Sequence, residues 1–185
     1  MFWMPPLSLK SIIPALARAT GLSPAAIYER QRALVRAGLL HGEAGWGPGS
    51  GVRATPESAA LLLIAILATD VLAETAERTK LFFRLPSRAK PAVCSITGKK
   101  TFGAALTALL ASKSMASSVH KIYAGRDSDE ARIDCLGSGR SYFNSSYFGV
   151  RGPAKRRPMY VSAELVPFPL EPIANALHGE DTDAR

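Results

Sequence analysis

The sequence predicts an α+β protein in which helices come first and an antiparallel sheet follows. From Leu9 to Leu85, apolar residues recur mainly at three- and four-residue spacing, the period of a buried helix face. Beyond Pro91, after one more helical run, the pattern alternates over short stretches rich in Val, Ile, Tyr and Phe, as strands covered on one side do. Between residues 42 and 51 a Gly-rich stretch with Pro48 interrupts the helices and marks a turn or hairpin tip.

The elements follow in order. Leu9, Ile12, Ile13, Leu16 and Ala17 place a helix over Leu9–Thr20, stopped by Gly21. Pro14 either kinks it or marks a start nearer Ser11. Ser23 offers an N-cap oxygen and Pro24 suits the first helical position, where a missing N–H costs nothing. That second helix runs to about Ala37 and ends at Gly38. Short strands flank the glycine-rich turn. Thr55 and Pro56 repeat the cap-then-proline pattern and open a helix filled by the apolar run Ala59–Ala68. Asp70 offers a cap for a further helix over Val71–Leu85, with Leu72, Thr75, Ala76, Thr79, Phe82 and Phe83 along one stripe. Pro86–Pro91 is the best linker candidate. A helix is expected over Thr101–Lys113, then strands over Val119–Tyr123, Ala131–Leu136, Ser141–Val150 and Met159–Leu165. Asp127–Glu130 reads as a hairpin turn and Pro169–Leu177 as a short closing helix. The acidic tail 179–185 is expected to be disordered. No internal repeat occurs.

Charge narrows the partners. The net charge is +8, and residues 1–54 carry six Lys or Arg against two acids. Such an excess favours a polyanion, nucleic acid or an acidic membrane surface. The most apolar run is too short for the roughly 20 residues that a membrane helix needs, and no leader pattern is visible. The expectation is therefore a cytoplasmic protein without a membrane. Cys94 and Cys135 are expected as free thiols in that setting.

The segment that carries function is LARATGLSPAAIYERQRALVRAGLL, residues 16–40. It resembles the helix-turn-helix of bacterial and phage-like winged-helix transcription regulators. Ala17 stands where a small residue lets two helices touch, and Gly21 where the turn glycine stands. Leu22 and Ile27 match positions that pin the second helix, and Leu34 with Ala37–Leu40 its end. The glycine-rich stretch and Val52-Arg53-Ala54 look like a wing and its return strand. Arg30 and Gln31 depart from the pattern, standing where an apolar residue is common; they either snorkel to the helix edge or signal a different packing.

The resemblance implies a winged helix-turn-helix over residues 7–55, or to about 68 if the following helix belongs to the same unit; beyond it the pattern predicts a helical connector over 56–85 and an α+β unit over 92–178 with one or two helices on its sheet. It also implies a sequence-specific regulator of transcription that binds double-stranded DNA. Ser23, Ala25, Ala26, Tyr28, Glu29 and Arg32 would face the major groove. There Arg32 would pair with guanine, Glu29 accept from cytosine and the alanines touch thymine methyls. Arg18 and Arg36 sit better for phosphate, and Trp46 and Arg53 would reach backbone or minor groove. The apolar surplus of the helices over 56–85 suggests a homodimer with two recognition helices about 34 Å apart. The unit over 92–178 would aid dimerisation, sense a ligand, or contact RNA polymerase or another protein. Alternatives are a replication-initiation or packaging protein, or a winged-helix adaptor between proteins.

Other motifs carry less. Thr97–Thr101 has the Gly-Lys-Lys-Thr of a phosphate loop but Val93 where the upstream glycine belongs. Ala124-Gly125 has the dipeptide of self-cleaving repressors, but no convincing Ser and Lys pair follows it in the setting that self-cleavage needs. Cys94, His120 and Cys135 lack the close spacing of metal ligands. Asp127, Asp129, Glu130 and Asp134 read as a solvated turn, and Tyr142, Phe143, Tyr147 and Phe148 as sheet packing. No catalytic set and no cofactor motif emerges, so neither enzyme activity nor a cofactor is expected.

Overall fold

The computed structural model describes residues 7–43, 51–137, 143–150 and 161–179. Among these lie seven α-helices and a four-stranded antiparallel sheet. The class is α+β, and no helix among the described residues is long and apolar enough to cross a membrane.

A 3-10 turn over Leu9–Ile12 leads into α1 (Ile13–Thr20), whose first turn holds Pro14. The proline therefore starts the α-helix and does not kink it. Gly21 closes α1 at φ 70°, a left-handed conformation that glycine adopts without steric cost. The chain then turns into α2 (Pro24–Arg36). Two-residue strands β1 (Gly42–Glu43) and β2 (Gly51–Val52) pair antiparallel, and Arg53 bridges back to Ser8.

Helix α3 (Pro56–Leu67) is the centre of the molecule. Thr55 and Ser58 cap each other's backbone N–H groups at 3.1 and 2.8 Å, a reciprocal box that fixes the start. Every residue from Ser58 to Leu67 is buried. Such an all-round apolar helix needs neighbours on every side. It has α2 on one flank and α4 (Thr75–Phe83) and α5 (Phe102–Leu110) on others. The apolar excess that suggested a homodimer is thus consumed within the chain. α5 packs along α3 within the same chain.

The sheet has the order β5–β4–β3–β6, with β3 (Val119–Gly125), β4 (Glu130–Leu136), β5 (Phe143–Gly149) and β6 (Ser162–Leu165). Its inner face presents Ile122, Ala131, Ile133, Phe148 and Leu165 to the helices. The ring of Phe148 meets that of Phe102 on α5 at 5.3 Å. α7 (Glu171–Leu177) returns to pack on α1, so one continuous core runs from Leu9 to Ala174.

Four local expectations are corrected. Residues 92–178 hold three helices, not one or two: the helix from Thr101 stops at Leu110. Ser112 then caps a separate short helix, α6 (Lys113–Ser118), by accepting from the Met115 N–H. Its polar sequence carries no apolar period to betray it. Asp70 does not cap the fourth helix; its carboxylate pairs with Arg126 at 3.2 Å, and a 3-10 turn over Leu72–Glu74 precedes α4. Leu72 is accordingly exposed and leaves the expected stripe, while Thr75, Thr79 and Phe82 stay buried. Pro86–Pro91 is no free linker. Ser87 donates to Lys100 O, Arg88 to Tyr147 O, and Pro86 O accepts from Gly149, all at 2.8–2.9 Å, so the segment is laced to the edge of β5.

Candidate nucleic-acid interface

Ser23 is extended, and its hydroxyl accepts from the Ala26 N–H at 3.2 Å, so the cap read from the sequence starts α2. Thr20 steadies the turn before it, donating to Leu16 O at 2.7 Å and accepting from the Leu22 N–H. Ile27, Arg30, Gln31 and Leu34 form the inner side of α2. Ser23, Ala25, Arg32 and Arg36 lie exposed on the outer side, with Ala26, Tyr28 and Glu29 half-buried. No part of the sheet or of α5–α7 has substantial contact with α2; its principal neighbours are α1, α3, α4 and the 3-10 turn at Leu72.

Arg30 and Gln31, the two polar residues at positions where an apolar one was expected, are both buried. Arg30 reaches along the core edge, donating to Ala26 O at 3.3 Å and to Asp70 O beyond the end of α3 at 3.5 Å. Burial, with Arg126 nearby and Asp70 opposing, draws its pKa below the ordinary arginine value. Gln31 has one amide oxygen without a hydrogen-bond partner.

The outer side of α2 and the β1/β2 pair enclose a cleft of about 290 Å³. Lys10, Tyr28, Gln31, Arg32, Val35 and Arg36 line it, with Gly42, Gly51 and Val52 opposite. Lys10 sits 5.2 Å from the centre of the Tyr28 ring, a cation held on an aromatic face. Sequence reasoning missed Lys10. It joins the site because Leu7 O accepts from Ala54 N at 2.7 Å and Ser8 bridges Arg53, contacts between distant positions with no local signature.

Of the residues expected at the interface, Ser23, Ala25, Ala26, Tyr28, Glu29, Arg32 and Arg36 share one side of α2. Arg53 lies exposed just after β2, and Arg18 lies exposed in the last turn of α1. Trp46 falls outside the described residues. Glu29 and Arg32 pair with each other at 3.0 Å, both about half exposed. Such an i,i+3 pair is worth only about 0.3–0.5 kcal/mol, so a base contact of about 1–3 kcal/mol displaces it readily. The three cations Lys10, Arg32 and Arg36 around one cleft give the site a positive field, and the cap of α2 adds the positive end of a helix dipole. Chemically, this arrangement can hold phosphate along its rim and present small and polar side chains between. No family model, curated protein or solved structure matches this chain.

Proposed function

We propose that this chain is a winged helix-turn-helix regulator of transcription that binds double-stranded DNA, with α2 as the recognition helix and the β1/β2 pair as the wing. One observation carries the reading: among the described residues, the outer side of a well-capped α2 is open, and the sheet and α5–α7 pack elsewhere. Small Ala25 and Ala26 let the helix approach base edges closely, and Ser23 and Tyr28 flank them. Arg32 reads guanine once it leaves Glu29. Lys10, Arg18, Arg36 and Arg53 serve the phosphates, fixing register without reading sequence.

Two measurements test this. Duplex affinity is expected to fall steeply with salt, because each neutralised phosphate releases counterions. Arg32→Ala is expected to narrow the gap between a selected site and random duplex by about 1–3 kcal/mol. Absence of salt-sensitive duplex binding would instead support an adaptor between proteins. Salt-sensitive binding that is equal for all duplexes, with Arg32→Ala making no difference, would remove sequence-specific regulation.

A further inference from the structure

We propose that the end of α4 and the loop over residues 90–100 form a second nucleic-acid face, which grips phosphate backbone and reads no sequence. It shares no residue with the cleft beside α2 and does not rest on the reading of that cleft.

Sequence supplies the charge. From Arg78 to Arg126 the chain carries ten Lys or Arg and no acid. Four of these are matched by carboxylates from elsewhere: Arg78 by Asp129, Arg88 by Glu130, Lys121 by Glu164 and Arg126 by Asp70. Lys80, Arg84, Lys90, Lys99 and Lys100 are exposed and pair with no carboxylate among the described residues. The last two belong to the Gly-Lys-Lys-Thr run.

The fold gathers them. Lys80 and Arg84 stand one turn apart at the end of α4, on one side of it. Beyond Arg84 the chain runs antiparallel beside residues 100–102. Phe102 donates to Leu85 O and Ser87 to Lys100 O, each at 2.9 Å, around the bridge of Pro86 to Thr101. Lys100 thus sits beside Ser87, which lies within about 11 Å of Arg84 even along an extended chain. That is close to the screening length of about 10 Å at 0.1 M salt, so these charges act as one field. The loop is held on the sheet. Gly98 turns it at φ 69° and donates to Cys94 O at 2.8 Å, and Cys94 N–H returns to Lys99 O at 2.7 Å. The buried Cys94 thiol and the Ser95 N–H both donate to Ser146 Oγ on β5, at 3.3 and 3.1 Å. The lysines stand on a fixed base, so binding costs little loop ordering.

Chemistry selects the partner. A protein partner needs an apolar or aromatic anchor at the centre of the contact, and a lipid surface needs an apolar face to bury. Among the described residues between Arg78 and Arg126, Leu81 is the one large apolar side chain left exposed, so neither need is met. A nucleic-acid backbone is bound through cations and hydroxyls, and its dense phosphates release counterions to several cations set close together. The Thr97 hydroxyl accepts from the Lys99 N–H at 3.3 Å, which leaves its own proton to donate to a phosphate beside Lys99.

The test is duplex binding by the full chain at about 50 and 200 mM salt, on a selected site and on random duplex, with circular dichroism to check folding. Lys99→Ala combined with Lys100→Ala is expected to weaken both duplexes by the same factor and to lower the salt slope by about 2, so that the affinity lost between the two salts shrinks about tenfold. Arg84→Ala, on a different element, is expected to lower the slope by about 1. Both effects are expected to persist when Arg32→Ala and Arg36→Ala disable α2. Duplex binding that the loop variants and Arg84→Ala leave unchanged overturns this face and leaves the reading of α2 intact. Binding lost in the loop variants but untouched by Arg32→Ala and Arg36→Ala removes that reading and supports this face. A loss confined to the selected site overturns the proposal, as does a wild type that binds no duplex at the lower salt. Adsorption to phosphatidylglycerol vesicles without duplex binding overturns it in favour of a membrane surface.

Discussion

Gln31 is where the candidate interface and the core meet. It lines the cleft beside Arg32, yet it is buried and one amide oxygen has no hydrogen-bond partner. An unsatisfied buried polar atom costs about 1–3 kcal/mol, and replacing the amide by an isosteric apolar group removes that cost. Gln31→Leu is therefore expected to raise stability by about 1 kcal/mol in urea unfolding; a loss of stability would mean that the amide is satisfied in solution. Cys135 makes a second prediction at this scale. Burial pushes its thiol up, with the neighbouring Ser118 hydroxyl opposing and Cys94 and Asp134 adding to the rise. Both cysteines are buried and free of disulfide. Neither is expected to react with Ellman's reagent at neutral pH until the protein unfolds, because both are covered and, at Cys135, the raised pKa also keeps the reactive thiolate scarce. Rapid reaction of the native protein would contradict this. Single residues were legible in sequence where their chemistry is local: the Ser23 and Thr55 caps and the Gly21 stop need only their own neighbours. Lys10 and Gln31 were not, because what matters about each is set by a contact or a burial that the local pattern does not encode.

At the scale of elements, the same division between local and distant causes holds. α3 and α5 announce themselves by apolar content, and the sheet's inward and outward sets by alternation. The segment 86–91 did not, because Pro and Ser look alike in a free linker and in a strand-edge lacing; only the Ser87 and Arg88 backbone bonds distinguish them. The packing of α5 on α4 turns on Gly103. A Cβ there would run into the ring of Phe83. Alanine would gain about 1 kcal/mol of helix propensity over glycine, but overpacking costs typically about 1–3 kcal/mol. Gly103→Ala is expected to destabilise on balance, read as a lower midpoint of urea unfolding, and a smaller side chain at Phe83 is expected to recover part of the loss. A rise in stability with Phe83 intact would show that the ring swings clear at no cost.

At the scale of the whole molecule, three arginines gather at the C-terminal end of α3, where unpaired carbonyls carry the negative end of the helix dipole. Arg126 donates to Leu67 O, Arg78 to Ala68 O and Arg30 to Asp70 O, at 3.3–3.5 Å. They come from the β3–β4 turn, α4 and α2 respectively. Arg78 also donates to Gly125 O, Arg126 O and Ser128 O and pairs with Asp129 at 2.9 Å. α2 and the sheet are thus fastened to the same helix end, while α5 seals the flank of α3. Residues 1–90 contain the whole candidate interface but leave that flank uncovered, together with the face of α1 that α7 covers. Exposed contiguous apolar surface of this kind drives aggregation. The fragment 1–90 is accordingly expected to aggregate or to bind hydrophobic dyes without a cooperative thermal transition. The full chain is expected to unfold in one transition by both circular dichroism and calorimetry. A monomeric fragment with a sharp transition and full duplex affinity would show instead that the N-terminal part is an independent domain, and that α3 draws enough from α1, α2 and α4 to stand without α5.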